Sequence, residues 1–204
     1  MDSERRNIKQ ELISLSAATE IGFNCTEAVK QQIEALADQL ETLTPTTEPT
    51  SQMELVQGRW RLLYSTFGLE RETTLSSLTF GKLPDVKVIV TNIFQEIYTV
   101  AEQYNNLIEF TAGGSVKGIT KVTGRYQIEG SKRVKIDFLA ASAFPATTDL
   151  TVKAFCEALG VERSALESAL DFSGWSDITY LDENLRLMRG NKQNLYVLVR
   201  ADCD

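Results

Sequence analysis

Histidine is absent from the 204 residues. That removes the commonest general base and the commonest zinc ligand, and with them every Ser-His or Cys-His catalytic arrangement. Any catalysis would rest on carboxylates, lysine, tyrosine or thiols alone. Cysteine is scarce: Cys25, Cys156 and Cys203 are odd in number and far apart. They give neither a disulfide framework nor a metal-ligand spacing, and they suit a reducing compartment. No apolar run approaches the roughly 20 residues that span a bilayer. Positive charge is in deficit, with 21 Lys and Arg against 28 Asp and Glu, a net charge of −7. A general nucleic-acid binder needs a cationic footprint, so nucleic acid is excluded as a partner. Electrostatic attraction to anionic lipid is weakened as well, while apolar contact with uncharged lipid is not. The opening Met1-Asp2-Ser3-Glu4-Arg5-Arg6 holds no apolar core of a signal peptide and is not the acid-poor, Ser-rich stretch of a transit peptide.

What is present divides by period. Residues 4–20 read as a helix with Ile8, Leu12 and Leu15 on one face, ended at Gly22. A second helix starts near Thr26, with Asn24 or Thr26 as its N-cap. Its apolar positions Val29, Ile33, Leu36, Leu40 and Leu43 fall four and three apart, the spacing of a seam on another helix or a barrel wall. The proline-containing stretch Thr44–Ser51 cannot continue that helix. From Gly58 the period becomes two. In 116–129, Val116, Gly118, Thr120, Val122, Gly124, Tyr126 and Ile128 alternate with mostly charged and polar residues. Val134, Ile136, Phe138 and Ala140 repeat the pattern next door. Further strands are expected at 60–66, 88–99, 104–112, 175–182, 184–190 and 194–200, with a weaker one at 73–80. Helical patterns at 149–159 and 162–170 form an insert. The class is therefore α+β: a helical region at 1–44, a linker at 45–57, and from 58 to 204 an antiparallel barrel of about eight to nine strands, interrupted at about 146–173. Eight strands enclose room for one small ligand.

Two segments bracket the β-rich part: Gly58-Arg59-Trp60-Arg61-Leu62-Leu63-Tyr64-Ser65-Thr66, and Tyr180-Leu181-Asp182-Glu183-Asn184-Leu185-Arg186-Leu187-Met188-Arg189-Gly190 with Asn194-Leu195-Tyr196-Val197-Leu198. Gly-x-Trp entering the first strand, with a late Arg, resembles the closed base of a lipocalin-type barrel. The wording of both segments resembles the plastid lipid-associated protein (PAP/fibrillin) family over most of the chain. It departs at Gln193, where the family tends to have Gly. The resemblance implies a lipocalin-like container that binds or carries, without catalysis and without a cofactor, a prenylquinone, carotenoid or other lipid at photosynthetic membranes. It also implies either a cyanobacterial member, cytoplasmic or peripheral on the cytoplasmic face of thylakoids, or a trimmed plastid chain. Possible partners are an isoprenoid enzyme or a photosynthetic complex. Two other readings stand beside it: a lipocalin-fold bilin lyase, and an interaction protein whose barrel is filled.

The inner, ligand-facing set expected from these patterns is Trp60, Leu62, Tyr64, Phe94, Phe110, Thr120, Val122, Tyr126, Phe138, Leu187 and Arg189. On pattern alone these residues fill a solid core, which is what most apolar β faces do; the resemblance implies a hollow one. Tyr64, Tyr126 and Thr120 offer hydroxyls to a ligand oxygen. Arg189 shares a face with Leu185 and Leu187, and is expected inside against Trp60; a ligand carboxylate is its alternative partner. Gly118 and Gly124 either widen the cavity or let the strand bend. Asp182-Glu183-Asn184 reads as a turn held by side chain to backbone bonds. Cys156 reads as a small buried apolar residue. The insert is expected against the outer wall, or else as a lid bearing Phe155 and Leu159.

Overall fold

The computed structural model describes residues 2–201; Cys203 lies outside the described residues. Helix α1 (Asp2–Ala18) is followed by α2 (Glu27–Thr42). Thr26 is the N-cap of α2, its Oγ1 accepting from the Val29 amide at 3.3 Å. This replaces a lost intrahelical partner for one of the first-turn N–H groups. The segment expected as linker contains a 3-10 turn (Pro49–Ser51) and the single-turn helix α3 (Met53–Val56).

The strands are β1 (Gly58–Ser65), β2 (Glu72–Thr74), β3 (Lys87–Tyr98), β4 (Gln103–Ala112), β5 (Val116–Glu129), β6 (Arg133–Pro145), β7 (Glu167–Leu181), β8 (Leu185–Gly190) and β9 (Leu195–Arg200). All pair antiparallel, in the order β1-β9-β8-β7-β6-β5-β4-β3-β2, and β1 also pairs with β3. Gly58–Arg61 lie against Phe94–Ile97, so the sheet closes into a ring of eight strands. β2 hangs on the other end of β3, outside the closure. The architecture is the α+β, lipocalin-like one that the sequence suggests.

Several strand assignments shift. The weak strand at 73–80 stops at Thr74, which caps the short helix α4 (Leu75–Leu78) by accepting from the Ser77 amide. The helical pattern at 162–170 is only a 3-10 turn at Arg163–Leu166, after which the chain enters β7. There Glu167, Ser168 and Ala169 pair with β6, so the ladder outweighs local helical preference. The helix α5 (Val152–Leu159) ends on Gly160 in the left-handed conformation, as its sequence suggests.

Two cores result. One lies inside the ring and contains Trp60, Leu62, Phe110, Tyr126 and Ile136. The other lies outside it, where Leu12, Ile33, Leu36 and Leu40 of the helical pair cover Tyr64, Tyr180, Leu185, Leu187, Leu195 and Val197. The helices are thus a second layer on the β1–β9–β8–β7 flank. Lys9 reinforces their docking by reaching Asp182 between β7 and β8 at 2.7 Å. Asp182 also accepts from the Tyr180 hydroxyl and the amides of Asn184 and Leu185, the turn bonding that its position suggests. Burial alone would raise its carboxyl, but these bonds outweigh burial and hold it below its ordinary 3.8. The unfolded chain therefore takes the proton first, and the contribution of Asp182 is present above its ordinary pKa and lost as pH falls toward the folded value. Denaturant titration at pH 7 and pH 3 should show stability falling with acid, and Asp182→Asn should flatten that fall while costing about 1–2 kcal/mol at pH 7.

Gln193, the departure noted above, sits at φ +58°. The loop between β8 and β9 closes through Gly190 N to Asn194 O at 3.0 Å and Gln193 N to Gly190 O at 2.9 Å. Gln193, which ends the 190–193 turn, is left-handed, a conformation that glycine adopts without strain. Gln193→Gly should raise stability by about 0.5–1 kcal/mol, read as an increase in Tm.

Candidate functional site

The inside of the ring holds a cavity of about 350 Å³, lined mostly by apolar side chains such as Leu62, Ile108, Val122, Ile136 and Phe138. Its polar wall positions include Gln95, Tyr104, Asn106 and Tyr196, and no described residue lining it carries a charge. Phe67 and Phe80 belong to the lining yet stand about half exposed, which marks the mouth. There Phe80, Phe138 and Phe172 cluster, with Phe80 edge-on to Phe172 at 4.6 Å and Phe138 4.9 Å from Phe172.

The base is built on Trp60. The indole is fully buried and donates from Nε1 to the Val56 carbonyl of α3 at 2.9 Å. A guanidinium lies near the ring centroid on each of two strands: Arg186 of β8 at 4.7 Å and Arg200 of β9 at 4.2 Å. Arg200 spans the base, donating to the carbonyls of Leu55, Gln57 and Glu183 at 2.6–2.8 Å. Gly58 takes φ +117°, and a Cβ there would meet Arg200 Nη1 at 2.8 Å. The glycine and tryptophan of Gly-x-Trp are therefore both required by the same guanidinium.

Arg186 lies deeper. It is fully buried, its Nη2 donates to Gln95 Oε1 at 2.7 Å, and its Nε and Nη1 find no hydrogen-bond partner. Burial pushes its pKa down to about 10, the Tyr104 hydroxyl counteracts and Arg200 adds to the fall; it stays charged at neutral pH. Burial likewise lifts the phenols of Tyr104 and Tyr196 above their ordinary range, so both remain hydroxyl donors.

At another end of the interior, α5 places the buried Phe155 beside Phe110, with ring centroids 6.4 Å apart. A Cβ on Gly118 would come within 2.3 Å of Phe110 and 2.9 Å of Phe155. Gly118 therefore makes room for two rings rather than for a ligand. The insert packs on this inner face, not on the outer wall as expected. At Gly124 the bend is what matters: the register shifts there, and a Cβ would meet Ile136 Cγ2 at 2.8 Å and the Asp137 carbonyl oxygen at 2.9 Å. Cys156 is buried in the core, as read from its helix.

Of the residues expected inside, Trp60, Leu62, Phe110, Thr120, Val122, Tyr126 and Phe138 share the inner side of the ring. Leu62, Val122 and Phe138 line the cavity itself. Four are elsewhere. Tyr64 and Leu187 lie under the helical pair. Phe94 is on the outer wall, with the Arg59 guanidinium 4.1 Å above its ring. Arg189 does share a face with Leu185 and Leu187, but it points outward to α2. There it pairs with Glu34, with Asp38 at 2.9 Å and with Glu41 at 2.9 Å. The guanidiniums at the tryptophan are Arg186 and Arg200, which the sequence reading overlooked. So were Gln95 and Tyr104; the alternation through Tyr104, Asn106 and Ile108 was the available signal.

The PAP_fibrillin family model matches residues 6–199. The chain is 28% identical over 232 residues to a plastid-lipid-associated protein of the chloroplast of Citrus unshiu, covering 97% of this chain and 69% of that one. It is 27% identical to a chromoplast-specific carotenoid-associated protein of Cucumis sativus, covering 97% and 69%. It is 24% identical to plastid-lipid-associated protein 6 of Arabidopsis thaliana, covering 98% and 72%. No solved structure matches the chain.

Because Arg189 ties β8 to three acids of α2, Arg189→Leu should lower stability by about 2 kcal/mol in urea unfolding. The partial exposure of Glu34 and Asp38 keeps the loss below that of a fully buried pair. Affinity for a ligand inside the ring should be unchanged.

Proposed function

The chain belongs to the PAP_fibrillin family, and from that premise we propose that it binds and carries one hydrophobic small molecule inside the ring, without catalysis. The observation that supports this most is the cavity of about 350 Å³, apolar in most of its walls, inside a ring whose base holds the buried Trp60. That volume falls within the range of small-molecule sites. Covering ~300 Å² of an isoprenoid or acyl tail at ~25 cal/mol/Å² supplies on the order of 7 kcal/mol before ordering costs, enough for useful affinity. A bilin's two propionates need two cationic partners at the walls. No described residue lining the cavity is charged and a single guanidinium, Arg186, lies behind Gln95, which favours carriage over bilin ligation. The names of the relatives support a lipid or carotenoid as the cargo and a plastid as the setting; a prenylquinone at a photosynthetic membrane would suit the same apolar walls. No helix among the described residues is long and apolar enough to cross a membrane. Contact with such a membrane would then be peripheral, and the half-exposed Phe67 and Phe80 at the mouth are the residues suited to it.

Trp175 lines the cavity and gives a direct reporter. A neutral short-chain quinone should quench tryptophan emission saturably in the native chain. Val122→Phe, which fills the cavity from a buried wall position, should weaken that binding about tenfold or more while leaving Tm within a few degrees. Quenching that never saturates would instead favour a protein that works only through its outer surface.

A further inference from the structure

Behind Gln95, which lines the cavity, lies a positive charge that no carboxylate among the described residues pairs with. Arg186 is fully buried, and the groups that perturb its charge are the Tyr104 hydroxyl and the like-charged Arg200, with no carboxylate among them. One of its nitrogens donates to Gln95 Oε1, and two are buried without partners. Stacking near Trp60 satisfies the guanidinium face but not these N–H groups. A buried ion in this state is costly unless a counter-ion completes it.

The residues between Arg186 and the cavity present donors. The Gln95 carbonyl is already taken by Arg186, which leaves the amide N–H₂ for the cavity that Gln95 lines. Tyr104 lines the same cavity and keeps its proton. A ligand group meeting Gln95 and Tyr104 must therefore accept hydrogen bonds. Charge decides which acceptor. A neutral carbonyl would leave Arg186 uncompensated, and a diphosphate would bury excess negative charge in its place.

We propose that the cavity selects amphiphiles with a long apolar body and a single carboxylate head, the head seated at Gln95 and Tyr104 over the Arg186 guanidinium and the body running toward Phe67 and Phe80. This rests on the container reading above and narrows it to a ligand class.

Titration calorimetry of the full chain at pH 8 with decanoate, methyl decanoate and decanol separates the two readings. Decanoate should bind about tenfold or more tighter than the ester and the alcohol, the scale of a hydrogen bond to a charged group. Arg186→Met and Tyr104→Phe should each remove most of that preference, read as the ratio of decanoate to ester affinity in the same variant. If Arg186→Met does not fold, Tyr104→Phe and Gln95→Leu give the same comparison. Equal affinities for the three ligands in the native chain would overturn the carboxylate site and leave the container standing. A preference that survives in every folded variant would overturn it too. Binding of none of the three would remove the container reading, and the head site with it.

Discussion

Trp60, held by two guanidiniums, is the constraint on which the rest of the molecule depends. Its indole ends the interior, its Nε1 fixes α3 beneath the ring through Val56, and Arg200 fastens the carbonyls of Leu55, Gln57 and Glu183 across the same base. Because Arg200 approaches Gly58 so closely, the chain must enter β1 without a side chain and at a positive φ. Each contact is worth little alone, about 0.5–2 kcal/mol for a cation over a ring. Together they fix one end of the ring, so that the space above it is not filled from below.

That base, the outer helices and α5 divide the work of burial. The helical pair covers the flank made by β1, β9, β8 and β7, which lets residues on both faces of β8 be buried. Phe110 and Phe155 occupy the interior where Gly118 leaves room. What remains unfilled is the cavity that runs from Gln95 and Tyr104 to the phenylalanines at the mouth. A ligand there would meet aliphatic walls and a few hydroxyl and amide donors, which is the chemistry of a carrier of apolar molecules.

Much of this was legible in the sequence. The change of period at Gly58, the capped second helix, the long alternation of β5 and the Gly-x-Trp entry gave the architecture, the ring and the identity of its base. The inner faces of β5 and β6 were readable because their outer faces are wet, so alternation reports direction. The errors have two physical sources. A register shift between Leu62 and Tyr64 turns Tyr64 outward, and another between Val90 and Asn92 does the same to Phe94. In β8 all six residues are buried, so hydrophobicity carries no sign of which side faces in. Arg189 was consequently placed inside and Arg186 was missed. A guanidinium that reaches three acids on a helix over a hundred residues away leaves no local trace in the sequence.

The central claim is that the space above Trp60 is vacant and takes one apolar molecule. Native mass spectrometry of the chain purified from photosynthetic cells, before and after extraction with organic solvent, tests it most directly. One adduct per chain, lost on extraction and recovered as a lipid or isoprenoid, is the expected result. A bare protein mass together with an empty extract, from a chain that also takes up no added ligand, would contradict it.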